Sequence, residues 1–262
     1  MKIKNYKSHQ IESCREASGI TATILDEVLD LVEEGITTEE IDNYCHSKIL
    51  KYGATPAPLF YKGFPKATCT SVNHTICHGI PNKNKKLKSG DIVNVDITSI
   101  VNGWHGDSSR MYKIGKLSVK SKNLLEATHR CLMDSIEVIK PGGKTSEIGK
   151  KIEEIANSYN FSVVRDFCGH GVGKKFHENP SILHYYDKHY DSIKFVSGMI
   201  FTIEPMINAG TYSTKMLNDG WTAVTKDKSL SAQFEHTIGV TKNGYEIFTK
   251  SKKKYDKPPY LL

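Results

Sequence analysis

The sequence predicts an α+β fold, in which two pseudo-symmetric helix-helix-strand repeats cover a curved antiparallel sheet. Three observations predict it: two helical periodicities near the start, a strand-turn-strand pattern centred on Asn102-Gly103, and a recurrence of that arrangement 108 positions later (204 − 96).

Residues 8–34 carry Ile11, Ala17, Ile20, Ile24, Leu25, Val28, Leu31 and Val32 at helical spacing, with Gly35 as the stop. Thr37 to Glu40 has a capping-box pattern. It opens a second helix whose apolar face is Ile41, Tyr44, Cys45 and Ile49 and whose end is Gly53. A loop rich in Pro, Gly and aromatics follows, A-P-L-F-Y-K-G-F-P, and then C-T-S-V-N-H-T-I-C-H-G-I-P.

Residues 91–101 are rich in Ile and Val, Asn102-Gly103 favours a two-residue type I′ turn, and the return strand begins at Trp104. That turn sets Val101 against Trp104, Thr98 against Asp107 and Asp96 against Ser109. Asp96 and Thr98 then share a face, and Asp107 joins them as the diagonal neighbour of Asp96, roughly 7–8 Å away. Asp is depleted in strands, and two unit charges about 4 Å apart repel by about 4 kcal/mol at an effective dielectric of about 20. Either the two acids converge on one ion, or a register slip or a bulge at Gly106 turns one of them to solvent.

The repeat bears on that choice. Gly35, Thr37, Thr38 and Glu39 fall on Gly143, Thr145, Ser146 and Glu147, and Ile24, Leu25, Val28 and Leu31 on Leu132, Met133, Ile136 and Ile139. The same shift lays S-G-D-I-V-N-V-D, ending at Asp96, on S-G-M-I-F-T-I-E, ending at Glu204. A solvent-facing slip would have to happen twice. His78-Gly79-Ile80-Pro81 and His177-Glu178-Asn179-Pro180 are both H-x-x-P at an offset of 99 (177 − 78), which places a nine-residue insertion (108 − 99) within about 181–196. Asp107 falls on Lys215 at the 108 offset, so it has no acidic counterpart there.

At 262 residues, 38% hydrophobic and 25% charged, the chain can bury a full core and shows no disordered-type bias. The N-terminus lacks the apolar region of a signal peptide and no run approaches transmembrane length, so a cytoplasmic location without a membrane partner is the expectation. Six cysteines without CxxC pairs suggest neither a zinc ribbon nor a disulfide framework. The net charge of +7 is concentrated at Lys83, Lys85, Lys86 and Lys88 and at Lys250, Lys252, Lys253, Lys254 and Lys257. These read as a solvated loop and tail, with weak attraction to an acidic surface such as ribosomal RNA as a second reading. No specific nucleic-acid motif accompanies them.

Two further segments offer ligands. F-C-G-H-G-V-G puts His170 between glycines, and Q-F-E-H-T-I-G-V reads as a last strand with Glu235 on the face opposite Phe234, His236, Ile238 and Val240. Asp96, Asp107, His170, Glu204 and Glu235 would be four carboxylates and one imidazole, which two divalent ions neutralise. Five ligands for two ions require a bridging carboxylate and a metal separation of roughly 3.5–4 Å, the spacing of two-metal hydrolases.

With N-V-D-I-T at Asp96, H-G-D-S-S-R-M at Asp107, C-G-H-G-V-G at His170, F-T-I-E-P at Glu204 and S-A-Q-F-E-H-T at Glu235, the chain resembles the type I methionine aminopeptidases of the bacterial length class from about residue 4 to 250. The resemblance implies the pita-bread fold and one catalytic domain over 1–262, with internal repeats roughly at 8–112 and 116–248. It implies two divalent ions (Co, Mn, Fe(II) or Zn), with Asp107 and Glu235 bridging, Asp96 on one ion and His170 with Glu204 on the other. Glu204 would also shuttle a proton, His177 would hydrogen-bond the substrate carbonyl, and His78 would contact the backbone beside the scissile bond. Tyr61, Phe64, Cys69, Phe176 and Trp221 would form the methionine pocket, and Pro58 stands where related bacterial enzymes often carry cysteine. The implied partners are the N-terminal peptides of nascent chains, bound by a monomer.

Prolidases and aminopeptidase P resemble the same catalytic half but add an N-terminal domain, for which a first repeat starting near residue 8 leaves no room. Type II methionine aminopeptidases need a helical insertion that this length does not hold. A non-catalytic binding protein on this fold would be marked by lost ligands, and none is lost.

Overall fold

The Asn102-Gly103 turn closes the hairpin the sequence predicts. In the computed structural model, which describes residues 3–255 and 257, strands Ile92–Val101 and Trp104–Lys113 pair antiparallel with Val101 opposite Trp104, Thr98 opposite Asp107 and Asp96 opposite Ser109. Both turn residues take the positive φ that a type I′ turn needs, 51° at Asn102 and 75° at Gly103. Residues 1, 2, 256 and 258–262, included in the expected 1–262 domain, lie outside the described residues.

The ladder runs unbroken through Ser99–Gly106, so there is no bulge at Gly106. Gly106 is there because helix α1 (Ser8–Val28) crosses it closely. A Cβ at that position would lie 2.2 Å from the Ser18 backbone nitrogen, and the Thr21 hydroxyl donates to the Gly106 carbonyl at 2.8 Å.

Helix α1 is shorter than the periodicity over 8–34 suggests. It ends at Val28, and residues 35–38 are drawn instead into backbone pairing: Gly35 donates to the Leu87 carbonyl, Leu87 to Ile36 and Thr38 to Lys85. After Val28 the chain closes only a turn, in which Leu31 and Val32 both donate to the Val28 carbonyl. Helix α2 (Thr38–Lys51) begins at the expected capping box, with the Thr37 N–H donating to Glu40 Oε2 at 2.8 Å and the Glu40 N–H to Thr37 Oγ1 at 3.2 Å.

Helices α3 (Val119–Ile136) and α4 (Ser146–Ser158) repeat the pair, and both Gly90 (φ 94°) and Gly198 (φ 93°) turn the chain into the strand that follows. The cap is not repeated: the Thr145 hydroxyl accepts from the Ile193 N–H, and the residue where Glu40 would fall is Ile148. Strand pairing follows both offsets. Val72 pairs Val93 in the first half as Gly171 pairs Phe201 in the second (171 − 72 = 99; 201 − 93 = 108).

Each helix pair covers its own half of the sheet. Ile24, Leu25, Ile41, Cys45 and Ile49 pack on Val93, Val95 and Ile97, while Leu125, Leu132, Ile148 and Ile152 pack on Phe201 and Ile203. Each fully buried aliphatic side chain of this kind contributes about 1.5–3 kcal/mol. With odd positions committed to the helices, alternation turns Asp96, Thr98 and Glu204 to the opposite, inner face.

The curved surface is built as a four-stranded and a five-stranded antiparallel sheet, with two three-stranded sheets beside them. The halves meet where strand Trp104–Lys113 passes residues 231–240. There the Glu235 N–H donates to the Ser109 carbonyl (3.0 Å), Ser108 Oγ to the Glu235 carbonyl (2.6 Å) and Thr237 Oγ1 to the Asp107 carbonyl (2.7 Å). These bonds interrupt the strand expected through Glu235, which is split into Ser231–Gln233 and His236–Val240; Tyr245–Ile247 then adds a later edge strand.

Gly106→Ala is expected to lower stability by about 1–3 kcal/mol, because its Cβ meets helix backbone that cannot rotate away. A urea midpoint unchanged from the parent would show that α1 does not press on this strand.

Candidate metal centre and its pocket

All the singled-out side chains line one cavity of about 350 Å³ between the two halves: Asp96, Asp107, His170, Glu204 and Glu235 on its floor, and His78, His177, Tyr61, Phe64, Cys69, Phe176 and Trp221 around them. Ligand atoms of Asp107, His170 and Glu235 lie within 4.8 Å of one another. His170 Nε2 is 3.6 Å from both Asp107 Oδ2 and Glu204 Oε1. Asp96 and Glu204 complete the group from the two equivalent strands.

Asp107, His170 and Glu204 are held from behind. Thr98 Oγ1 donates to Asp107 Oδ1 at 2.6 Å, and Thr202 Oγ1 to Glu204 Oε1 at 2.8 Å. Gln233 Nε2 donates to Glu204 Oε2 at 3.2 Å, and the His170 N–H donates to Thr202 Oγ1 at 3.0 Å. The glycines around His170 permit close strand approach: a Cβ on Gly169 would lie 2.3 Å from the Thr202 carbonyl oxygen, and one on Gly171 2.3 Å from that of Asn179.

The electrostatics call for a cation. Burial lifts Asp107 to about 7 against the Thr98 hydrogen bond, and burial followed by repulsion from Asp107 raises Asp96, Glu204 and Glu235. Burial pushes His170 down to about 4, so its imidazole is neutral at pH 7 and the 3.6 Å contacts are not ion pairs. With Nδ1 donating to the Gly171 carbonyl at 3.1 Å, the free Nε2 lone pair faces two carboxylates. A lone pair aimed at other lone pairs is an arrangement a divalent cation resolves, so these residues fit such an ion.

The pocket wall is aromatic. Phe64 meets Trp221 edge-on with centroids 5.2 Å apart, and Tyr61 packs on Phe176 at 5.0 Å. The His177 ring lies 4.3 Å from that of His170, and its Nδ1 is 3.1 Å from the Tyr61 hydroxyl. His78 sits at a left-handed φ of 55°, a conformation uncommon for a residue with a Cβ, with its ring edge-on to Phe167.

Sequence reasoning missed Lys62, Asp166, Phe167, Cys168 and Met206, which also line the cavity, and His105, which stacks on Phe176. It also missed Thr202, Gln233 and His184 behind Glu204. Phe167 and Cys168 lie in the F-C-G-H-G-V-G run, Thr202 and Gln233 in the runs that carry Glu204 and Glu235, and Met206 two residues past Glu204, so a local signal existed for these and for none of the contacts they make. Pro58 does line the cavity.

The model of metallopeptidase family M24 matches residues 12–242. The chain belongs to that family. A methionine aminopeptidase of Rickettsia prowazekii is 52% identical over 261 residues, covering 99% of this chain and all of that one. A crystal structure of a methionine aminopeptidase from the same organism superposes with a TM-score of 0.92 at 51% identity, covering 95% of this chain and 100% of that chain. One from Thermotoga maritima gives 0.92 at 37% identity with the same coverage. The M24 pita-bread fold is thus the two-repeat architecture described above.

Stability of the metal-free M24 chain should depend on pH. Carboxylates raised in the folded state stabilise it while protonated, and that contribution is lost as pH rises through their folded values. Lowered histidines work the other way, but only up to the ordinary imidazole value of about 6.5, above which they are neutral in both states. Chelator-treated protein is therefore expected to lose thermal stability between about pH 6.5 and 8, and added Mn(II) to flatten the loss. A metal-free Tm that stays level across that window would contradict the clustering of these acids.

Proposed function

We propose that this chain removes the N-terminal methionine from nascent proteins and peptides when the second residue is small. The observation that carries the proposal is the neutral His170 Nε2 facing Asp107 and Glu204 on the floor of an aromatic-walled cavity. Asp96, Asp107, His170, Glu204 and Glu235 would hold two divalent ions drawn from Co, Mn, Fe(II) and Zn, with Asp107 and Glu235 shared between them. When bound, the ions supply Lewis-acid polarisation and a water of lowered pKa.

Glu204 takes a proton from the attacking water as the C–O bond forms, and returns it to the amine nitrogen as the peptide C–N bond breaks. Thr202 and Gln233, one on each oxygen, keep the carboxylate from swinging away. Partial desolvation on the cavity side, with His170 and His78 beside it, lowers the exposed His177 to about 3, hence neutral. In the tautomer that accepts the Tyr61 hydroxyl at Nδ1, its Nε2–H would stabilise the substrate oxygen as charge develops. His78 would contact the backbone beside the scissile bond. Tyr61, Phe64, Cys69, Phe176 and Trp221 offer the methionine thioether soft aromatic and sulfur surfaces.

Among the described residues no helix is long and apolar enough to cross a membrane. We place the enzyme in the cytoplasm as a monomer, with its two exposed lysine clusters as a solvated loop and tail and a weak ribosome contact through them as the second reading. Loss of ribosome co-sedimentation only when both clusters are neutralised would support that contact.

Purified protein supplied with Mn(II), Co(II) or Fe(II) is expected to release methionine from Met-Ala peptides and to leave Met-Lys and Met-Leu peptides intact. Asp107→Ala should abolish release, and Glu204→Gln should lower kcat by at least about 10²-fold. Metal-replete protein that binds Met-Ala peptides without cleaving them would decide for a binding module, and preferential cleavage of Xaa-Pro bonds for a prolidase.

A further inference from the structure

The second half of the fold exceeds the first by nine residues (108 − 99), and the extra length lies in the run that leaves strand Glu178–Ile182. That run carries His184, 1% exposed, whose Nε2 accepts the backbone N–H of Glu204 at 3.1 Å. An accepting Nε2 requires a neutral ring with its proton on Nδ1.

The first half has no such contact because it needs none. Asp96 sits within a continuous strand, paired with Cys69 on one side and Ser109 on the other. In the second half the strand ends at Ile203 and Pro205 follows Glu204, so the ladder that would occupy the Glu204 N–H has stopped. A buried N–H without a partner is costly, and the imidazole takes the place of the missing strand.

The rest of the fold is shaped to hold the added segment. Where α2 has the core residue Ile41, α4 has Gly149 (149 − 41 = 108), and a Cβ on Gly149 would lie 2.3 Å from the Tyr185 carbonyl oxygen. The glycine is therefore a notch into which the residue after His184 fits. Glu153 of α4 accepts the Tyr186 N–H at 3.0 Å, and the Tyr190 hydroxyl donates to the Ser181 carbonyl at 3.2 Å. Helix α4, the added segment and Glu204 thus form one mechanical chain.

We infer that His184 is a positioning residue, delivered by the added segment to fix the backbone of Glu204 and so aim the carboxylate that carries the proton. The inference rests on the proposed peptidase reading. With Thr202 on Oε1 and Gln233 on Oε2, the ring supplies the third tether of Glu204, the one that acts on its main chain.

The test uses variants loaded with Mn(II) to the parent's metal content and two substrates, a Met-Ala peptide and a methionine thioester whose thiolate leaves without a proton. His184→Leu is expected to lower kcat on the peptide by about 10- to 100-fold with little change in KM, and to lower it on the thioester by a smaller factor, because there Glu204 still takes the proton of the attacking water but need not return one to the leaving group. His184→Gln, whose side-chain oxygen reaches the place of Nε2, should restore most of the peptide rate, whereas the shorter His184→Asn should not. Should His184→Leu fail to fold, the Gln and Asn pair decides. Gly149→Ala, which presses on Tyr185 while favouring the helix, should reproduce part of the selective loss. A peptide rate that glutamine restores no better than asparagine, or an undiminished peptide rate in His184→Leu, would overturn the positioning role. A parent protein inactive on both substrates would instead sink the peptidase reading beneath it.

Discussion

Four carboxylates and a neutral imidazole gathered in one cavity is the constraint on which this structure depends. Burial penalises each charge and proximity penalises it again, so the cluster is tolerable only with protons or cations among its members. The fold enforces the crowding by means unrelated to the acids. Val93, Val95 and Ile97 on one strand, with Phe201 and Ile203 on its counterpart, are driven against their helices, and strand alternation then leaves Asp96, Thr98 and Glu204 no other direction to face.

The symmetry that brings Asp96 and Glu204 together is broken at the other two acids. On the return strands, Ser109 lies opposite Asp96, and the register that pairs His236 with Ile203, extended by one residue, sets Glu235 beside Glu204. By that correspondence Asp107 matches Gln233, the residue whose amide holds Glu204, and Glu235 matches Ser109. Matched positions in the two halves therefore carry an acid on one side and a neutral hydrogen-bonding residue on the other. Two acids at symmetric return positions would have added repulsion without adding a donor for Glu204.

Close backbone approach is the second device. Gly106 lets α1 cross the hairpin, Gly169 and Gly171 let the His170 strand press against its neighbours, and Gly149 admits the added segment. Each contact is made with main chain, which does not change rotamer, so the ligands inherit the stiffness of the elements behind them. The strained conformation of His78 is held beside the same rigid frame.

The sequence by itself determined the parts of this protein that are written in local periodicity and turn chemistry. The register at Asp96, Thr98 and Asp107 followed from the φ values that only an Asn-Gly turn accepts easily, the α2 start from one Thr and one Glu, and the pairing of Asp96 with Glu204 from the repeat. The end of α1 differs from the periodicity because apolar spacing continues through Leu31 and Val32, while the backbone there closes only a turn onto Val28, and helical spacing does not distinguish the two. Only the tertiary structure decided what stands behind the site. Thr202, Gln233 and His184 matter through contacts that cross the chain, and neither a threonine in an apolar strand nor a histidine in a loop signals which main-chain or carboxylate group it will meet. The break of the strand at Glu235 had the same origin, since its N–H is claimed by Ser109 on the other half, and no local pattern encodes a hydrogen bond whose partner is set by how two halves meet.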